Sequence, residues 1–344
     1  MIHPIDFVLP WVDSSDPDWQ EQRAQYDIAY HKNERTDTRF RDMHTLKYVL
    51  RSIEKHCPWY HKIYLITAGH YPDWLDISHP NIELITHETL FTDPSVLPVF
   101  NSNAIEMNLV NIKNLSEYFV YLNDDTIIWN ALKTDRFFQN NRPIDFFSHS
   151  PIPRNSFFKL IKNQDNTWID SLNNNIRLIN EKFSSDMMSK DHLFHSTYTT
   201  NQKINNILYK YLFKKLNWVN HWHHPQPYTR STLKQVYKAY SNEMAETSRH
   251  KFRTSSDITP YIYRYWHLIS GNFEPFFHND GLVSNLDSIE VLNNMIDKLQ
   301  STEHINFVCF NDSIHLTDSA YEQVKNALND FLEKRFPQKA SFER

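Results

Sequence analysis

Phe119-Val-Tyr-Leu-Asn-Asp-Asp125 is an apolar run that ends on an amide and two carboxylates. The apolar part reads as a short buried strand. The positions just beyond a strand's carboxyl end are where open α/β sheets bind their ligands. Paired aspartates there offer hard oxygen ligands to Mg²⁺ or Mn²⁺, which in turn bridges phosphate oxygens. Alone, such a pair is more commonly a turn or a helix cap, so the rest of the chain has to decide.

Working outward, the same alternation recurs through the first half. Residues 5–9, 62–67, 81–86 and 118–122 are short apolar runs that predict strands. Between them, residues 18–31 are compatible with a helix and residues 42–56 place apolar side chains at 43, 46, 49, 50 and 53, a helical stripe with Asp42 as its cap. Residues 103–113 also predict a helix. Strands alternating with helices predict an α/β fold built on a doubly wound, mostly parallel sheet. Residues 151–220 are rich in Asn, Lys, Phe and Leu with little strand pattern, which predicts a mainly helical insertion. Residues 304–310 form a late apolar run ending on Asn311-Asp312, and residues 317–335 predict a closing amphipathic helix. With no repeat and no linker, residues 1–344 are expected to form one catalytic unit. Within it we expect an α/β half over 1–134, the insertion over 135–220, and a His- and Arg-rich closing segment over 221–344.

Composition narrows the chemistry. The 344 residues are 40% hydrophobic and 15% aromatic, enough for a sizeable core, and the net charge of −5 predicts no nucleic-acid partner. Two cysteines provide no disulfide framework and fit a reducing compartment. No run approaches the ~20 apolar residues that span a bilayer, and residues 1–6 show no signal segment, so a cytoplasmic location is expected. A membrane-surface contact would fall to Lys214, Lys215 and nearby aromatics. Three glycines in the whole chain, Gly69, Gly271 and Gly281, exclude a glycine-rich phosphate cradle. Phosphate must then be held by side chains and metal.

Several groups of residues suit that task. Asp13 and Asp16 follow the first strand and either face a ligand or cap the next helix. Arg39 and Arg41 precede the helix at 42 and offer bidentate guanidiniums to phosphate. His221-Trp-His-His-Pro-Gln-Pro227 is dense in imidazole, which fits a general base or phosphate-binding histidine better than zinc. His250-Lys-Phe-Arg-Thr-Ser-Ser-Asp257 has the composition of an anion site or of a solvated helix start.

Taken together, these segments resemble, in order, the four conserved blocks of the Stealth family of sugar-1-phosphate transferases. The first block resembles Ile5-Asp-Phe-Val-Leu-Pro-Trp-Val-Asp-Ser-Ser-Asp-Pro17. The second runs from Arg39-Phe-Arg-Asp42 through Thr86-His-Glu88 and Leu97-Pro-Val-Phe-Asn-Ser-Asn-Ala-Ile-Glu106 to Asn123-Asp-Asp125. The third resembles His223-His-Pro225 through Phe252-Arg-Thr-Ser-Ser-Asp257, and the fourth Val308-Cys-Phe-Asn-Asp312. Ser14 stands where the family usually has glycine, and Asn103 where histidine is common, so no histidine can act at that position.

The resemblance implies a core like that of GT-A nucleotide-sugar transferases and a bacterial capsule or surface-polysaccharide enzyme. A sugar-1-phosphate would pass from a UDP-sugar donor to a hydroxyl of a polysaccharide or oligosaccharide acceptor, with UMP leaving. The enzyme would be cytoplasmic, with peripheral association at the inner membrane. The implied metal ligands are Asp124, Asp125, Asn311 and Asp312, holding Mg²⁺ or Mn²⁺. Arg41 and Arg253 would neutralise the transferred phosphoryl group. Asp16, Arg39, Asp42, Asn101 and Asp257 would hold substrate. His223 is expected to be the base, with Asp13 as its rival. A metal-dependent glycosyltransferase attacking the sugar carbon and releasing UDP would use the same donor and the same Asp pair. A non-catalytic carbohydrate-binding protein could draw on the nine Trp and eighteen Tyr, but has no need of carboxylates at two strand ends beside arginines.

Overall fold

The computed structural model describes residues 3–27, 41–162, 167–221, 223–313 and 316–344. Its main sheet is built from β1 (Ile5–Pro10), β2 (Ile63–Thr67), β3 (Ile82–Thr86) and β4 (Tyr118–Tyr121). These run parallel in the order β4-β1-β2-β3, and the strand Gln226–Thr229 adds antiparallel to the outer side of β4. That strand contains Pro227, which has no amide hydrogen and is tolerated at a sheet edge.

Period-two alternation sends the strand side chains to two separate cores. Val8, Tyr64, Ile66, Phe119 and Tyr121 enter one core, under the helices Thr167–Lys182, Arg230–Arg249 and Tyr261–Ile269. Phe7, Leu9, Ile63, Leu65, Val120 and Leu122 enter the other, with α1 (Pro17–Asp27) outside it and α2 (Leu46–His56), Ile289–Ser301 and Asp318–Arg335 packed upon it. Both faces are covered, so the sheet is doubly wound as the runs of buried residues predict. A second sheet sets Gly281–Asn285 parallel to Phe307–Asn311, and β5 (Thr126–Ile128) antiparallel to the latter. The stretch 151–220 is helical in large part, ending in a π-helical turn at Leu208–Phe213. Among the described residues no helix is long and apolar enough to cross a membrane. Cys57 and Cys309 are both buried and free.

Three expected elements differ in detail. The helix expected from residue 42 begins at Leu46, because His44 adopts a left-handed φ of 58° and Asp42 turns elsewhere. The helix expected over 103–113 divides into Ser102–Glu106 and a 3₁₀ turn at Leu109–Asn111. There the Asn108 amide donates to the Ala104 carbonyl at 2.9 Å, in competition with the backbone ladder. The late strand lies at Phe307–Asn311.

One buried ion network fastens the two halves. Arg264, fully buried, donates to both oxygens of Asp145 at 2.9 and 2.7 Å, and His267 Nε2 lies 2.8 Å from the same carboxylate. Burial alone would raise the Asp145 carboxyl, but Arg264 and His267 hold it well below the usual carboxylate range. A buried charge with this many partners is tolerable; the same charge without them is costly.

Candidate active site

A cavity of about 520 Å³ opens at the carboxyl edge of the parallel strands. The ends of β1 and β4 supply Trp11 and Asn123-Asp124-Asp125, the approach to α2 supplies Arg41 and Asp42, and the end of the strand Phe307–Asn311 supplies Asn311 and Asp312. Arg253 and Glu106 line the same cavity. Backbone ties fix this convergence. Thr45 Oγ donates to the Asp124 carbonyl at 2.7 Å, and the Phe310 amide donates to the Asp125 carbonyl at 3.1 Å.

The carboxylates are crowded and poorly solvated. Burial, followed by the charges of Asp125 and Asp42, pushes the Asp124 carboxyl well above its ordinary range. Asp42 is likewise raised by burial, against the opposing His44 amide, and Asp312 is raised by burial against the opposing Arg41. Such a cluster is stabilised by a cation. The donor set fits one. Ligand atoms of Asp125, His223 and Cys309 lie within 4.8 Å of one another, and His223 Nε2 is buried with no hydrogen-bond partner among the described residues. Burial and the Asp125 charge push the Cys309 thiol well above its ordinary value, so carboxylate oxygen and imidazole are the donors that need no proton removed from sulfur. Those suit Mg²⁺ or Mn²⁺.

The two arginines are anchored from different segments. Arg41 bonds Asp312 at 3.2 Å and the carbonyls of Ser313 and Leu316, and lies over the Tyr321 ring at 4.5 Å. Arg253 donates to Ser102 Oγ at 2.6 Å. Arg39 lies outside the described residues.

Other expected residues sit around the cavity and do not line it. Asp16 caps α1 by accepting from the Trp19 amide at 2.8 Å, while Asp13 accepts from the amide and hydroxyl of Ser15 and its own amide donates to His70 Nε2 at 2.9 Å. Asn101 and Asp257 are fully buried. Asp257 accepts from Asn101, Asn103 and the Thr254 amide and faces His250 at 2.6 Å, so it underpins the loop that carries Arg253. The Asp257 carboxylate in turn raises His250. His223 is not one of the described residues lining the cavity; it stands behind Asp125.

Two lining residues escaped the sequence reading although both lie in stretches quoted for the family resemblance. His87 is buried and held at about 4, chiefly by burial, so it is a neutral imidazole. Glu106 is buried, and its carboxyl is pushed up to about 7 by burial against the opposing Tyr121 hydroxyl and Arg253. Their signal was position within Thr86-His-Glu88 and Ala-Ile-Glu106, which says nothing of where a side chain points.

Comparison with known proteins adds four matches that span most of the chain. They are Stealth protein conserved region 1 at residues 3–31, region 2 at 39–146, region 3 at 222–269 and region 4 at 297–344. The chain is 35% identical to capsular polysaccharide phosphotransferase WcwK of Streptococcus pneumoniae, over 99% of this chain and 98% of that one. It is 30% identical to receptor polysaccharide phosphotransferase WefC of Streptococcus gordonii over the whole of both. Among solved structures, the galactosyltransferase LgtC in complex with donor and acceptor sugar analogues aligns over 94% of this chain and 95% of that one, at 10% identity and a TM-score of 0.36, an overlap too slight to argue from.

Proposed function

The chain belongs to the Stealth family, and from that premise we propose that it is a polysaccharide-synthesis enzyme that moves a sugar-1-phosphate from a UDP-sugar to an acceptor sugar hydroxyl. The product is a phosphodiester, and UMP leaves. The observation that carries this is the meeting of two charge sets in one cavity. Asp42, Asp124, Asp125 and Asp312 line it together with Arg41, which is bonded to Asp312, and with Arg253. Carboxylates that need a cation, next to guanidiniums that need an anion, suit a metal-bound pyrophosphate.

A divalent ion here would be held by Asp125 and Asp124, with His223 behind and Asp312 and Asn311 alongside. When bound it would neutralise charge on the pyrophosphate. The rest falls to the chain's own residues. Arg253, which donates to Ser102, and Arg41, which is bonded to Asp312 and lies over Tyr321, would neutralise the transferred phosphoryl group. Trp19, Phe100 and Phe252 pack into an apolar wall of the cavity suited to the flat face of a base or sugar. Little covalent work is asked of such a site, so positioning and charge stabilisation account for the rate.

The test is the nucleotide released. Purified protein with Mg²⁺ or Mn²⁺, a panel of UDP-sugars and a polysaccharide acceptor should yield UMP together with a new phosphodiester. UDP in its place would mean attack at the sugar carbon and would end the phosphotransfer reading.

A further inference from the structure

Glu106 ends the short helix Ser102–Glu106, and Ser102 at the other end of that helix is the hydroxyl that receives Arg253. One turn of helix therefore positions both a carboxylate and a phosphate-seeking guanidinium at the same cavity. Tyr121 donates its hydroxyl to Glu106 Oε1, while no described residue donates to Oε2. We infer that Glu106 is the group that takes the proton from the acceptor hydroxyl, an inference that rests on the phosphotransfer reading above. As the acceptor oxygen bonds to the β-phosphorus, its proton passes to Glu106 Oε2. The bridging P–O bond breaks, and its electron pair departs on UMP.

The surroundings favour that role. The groups facing Glu106 are Tyr121 on β4, Tyr228 on the edge strand, Tyr261 and Tyr263 on the helix Tyr261–Ile269, and Arg253. Burial raises all four phenols, Tyr261 to about 12, so they stay neutral, and among the described residues Arg253 is the charged group that bears on the Glu106 carboxyl. The carboxyl is held at about 7, which lets it accept a proton in the reaction and lose it again at neutral pH. The two groups expected from sequence as the base sit elsewhere: His223 stands with Asp125 and Cys309 outside the cavity lining, and Asp13 is bound within its own turn.

The test uses Glu106→Gln, which keeps an acceptor for Tyr121, alongside Glu106→Ala. Circular dichroism and UDP-sugar binding check that both variants are folded. Glu106→Gln is expected to lower kcat by about 10²–10⁴-fold with acceptor KM within a few-fold. Wild-type kcat/KM should fall as pH drops below about 7, and that limb should vanish in Glu106→Gln. Formate should restore part of the kcat of Glu106→Ala. Retention of kcat within tenfold, a loss confined to KM, or an acid limb that persists in the glutamine variant would each overturn the inference. UDP release by the wild type would instead overturn the underlying reaction.

Discussion

Replacing Asp124 by Asn should make the metal-free protein no less stable while abolishing its response to metal. Asp124 is half-buried at the cavity wall, and its carboxyl is raised by desolvation and then by Asp125 and Asp42. A carboxyl whose folded pKa lies above its unfolded value is stabilising while protonated. That stability is lost as pH climbs from the ordinary carboxylate range through the raised value. At neutral pH without metal, wild-type protein carries the cost and the Asn variant does not. With metal at a hundred times its dissociation constant, binding adds about 2.7 kcal/mol to the wild type. Melting entropy of about 2.1 cal/mol/K per residue gives about 0.7 kcal/mol/K for 344 residues, so the wild-type Tm should rise by about 4 °C. Differential scanning fluorimetry with and without Mn²⁺, at pH 5 and pH 8, would read this. The wild type should show the metal increment at pH 8 and a weaker one at pH 5, where carboxyl protonation competes. The Asn variant should show neither. An undiminished increment in Asp124→Asn, or a metal-free variant more than about 1 kcal/mol less stable than wild type, would refute the account of the cluster.

Two further outcomes follow from the same geometry. Arg253→Lys should lower kcat by about 10–100-fold in steady-state assays, because an ammonium cannot hold Ser102 and bridge phosphoryl oxygens at once. Asp145→Ala, outside the cavity lining, should destabilise the fold by about 3–5 kcal/mol in urea titration by leaving the Arg264 charge buried without its counter-ion.

Much of the sheet was legible because parallel strands buried on both faces read as unbroken apolar runs. β1 to β4 all announced themselves in this way. The edge strand Gln226–Thr229 and the strand Gly281–Asn285 did not, since one carries a proline and the other is largely polar and half exposed. At the site, Asp124, Asp125, Arg41, Asp42, Arg253, Asn311 and Asp312 were named from sequence and converge on one cavity. Asp13, Asp16, Asn101 and Asp257 were visible as acids and amides near motifs, but their short side chains satisfy local amides and loops. Turn chemistry and ligand chemistry use the same residue types, and only coordinates separate them. Glu106 went unseen for a different reason. Its character comes from burial among tyrosines on distant segments, which no local window contains.

The strand pairing beside the Asp pair also bears on when the enzyme becomes competent. β5 has as its partner Phe307–Asn311, and the Asp125 carbonyl waits for the Phe310 amide. A ribosome makes both aspartates long before it makes that strand. Contacts between such remote segments form late, because the entropy of closing the loop is met before any contact rewards it. Until then the two carboxylates sit in water at ordinary acidity, and the His223–Asp125 juxtaposition does not exist. The nascent chain thus carries Asp124 and Asp125 before the contacts that crowd them exist. On the reading proposed above, cation capture and donor recognition would both wait for the strand Phe307–Asn311 to pair with β5.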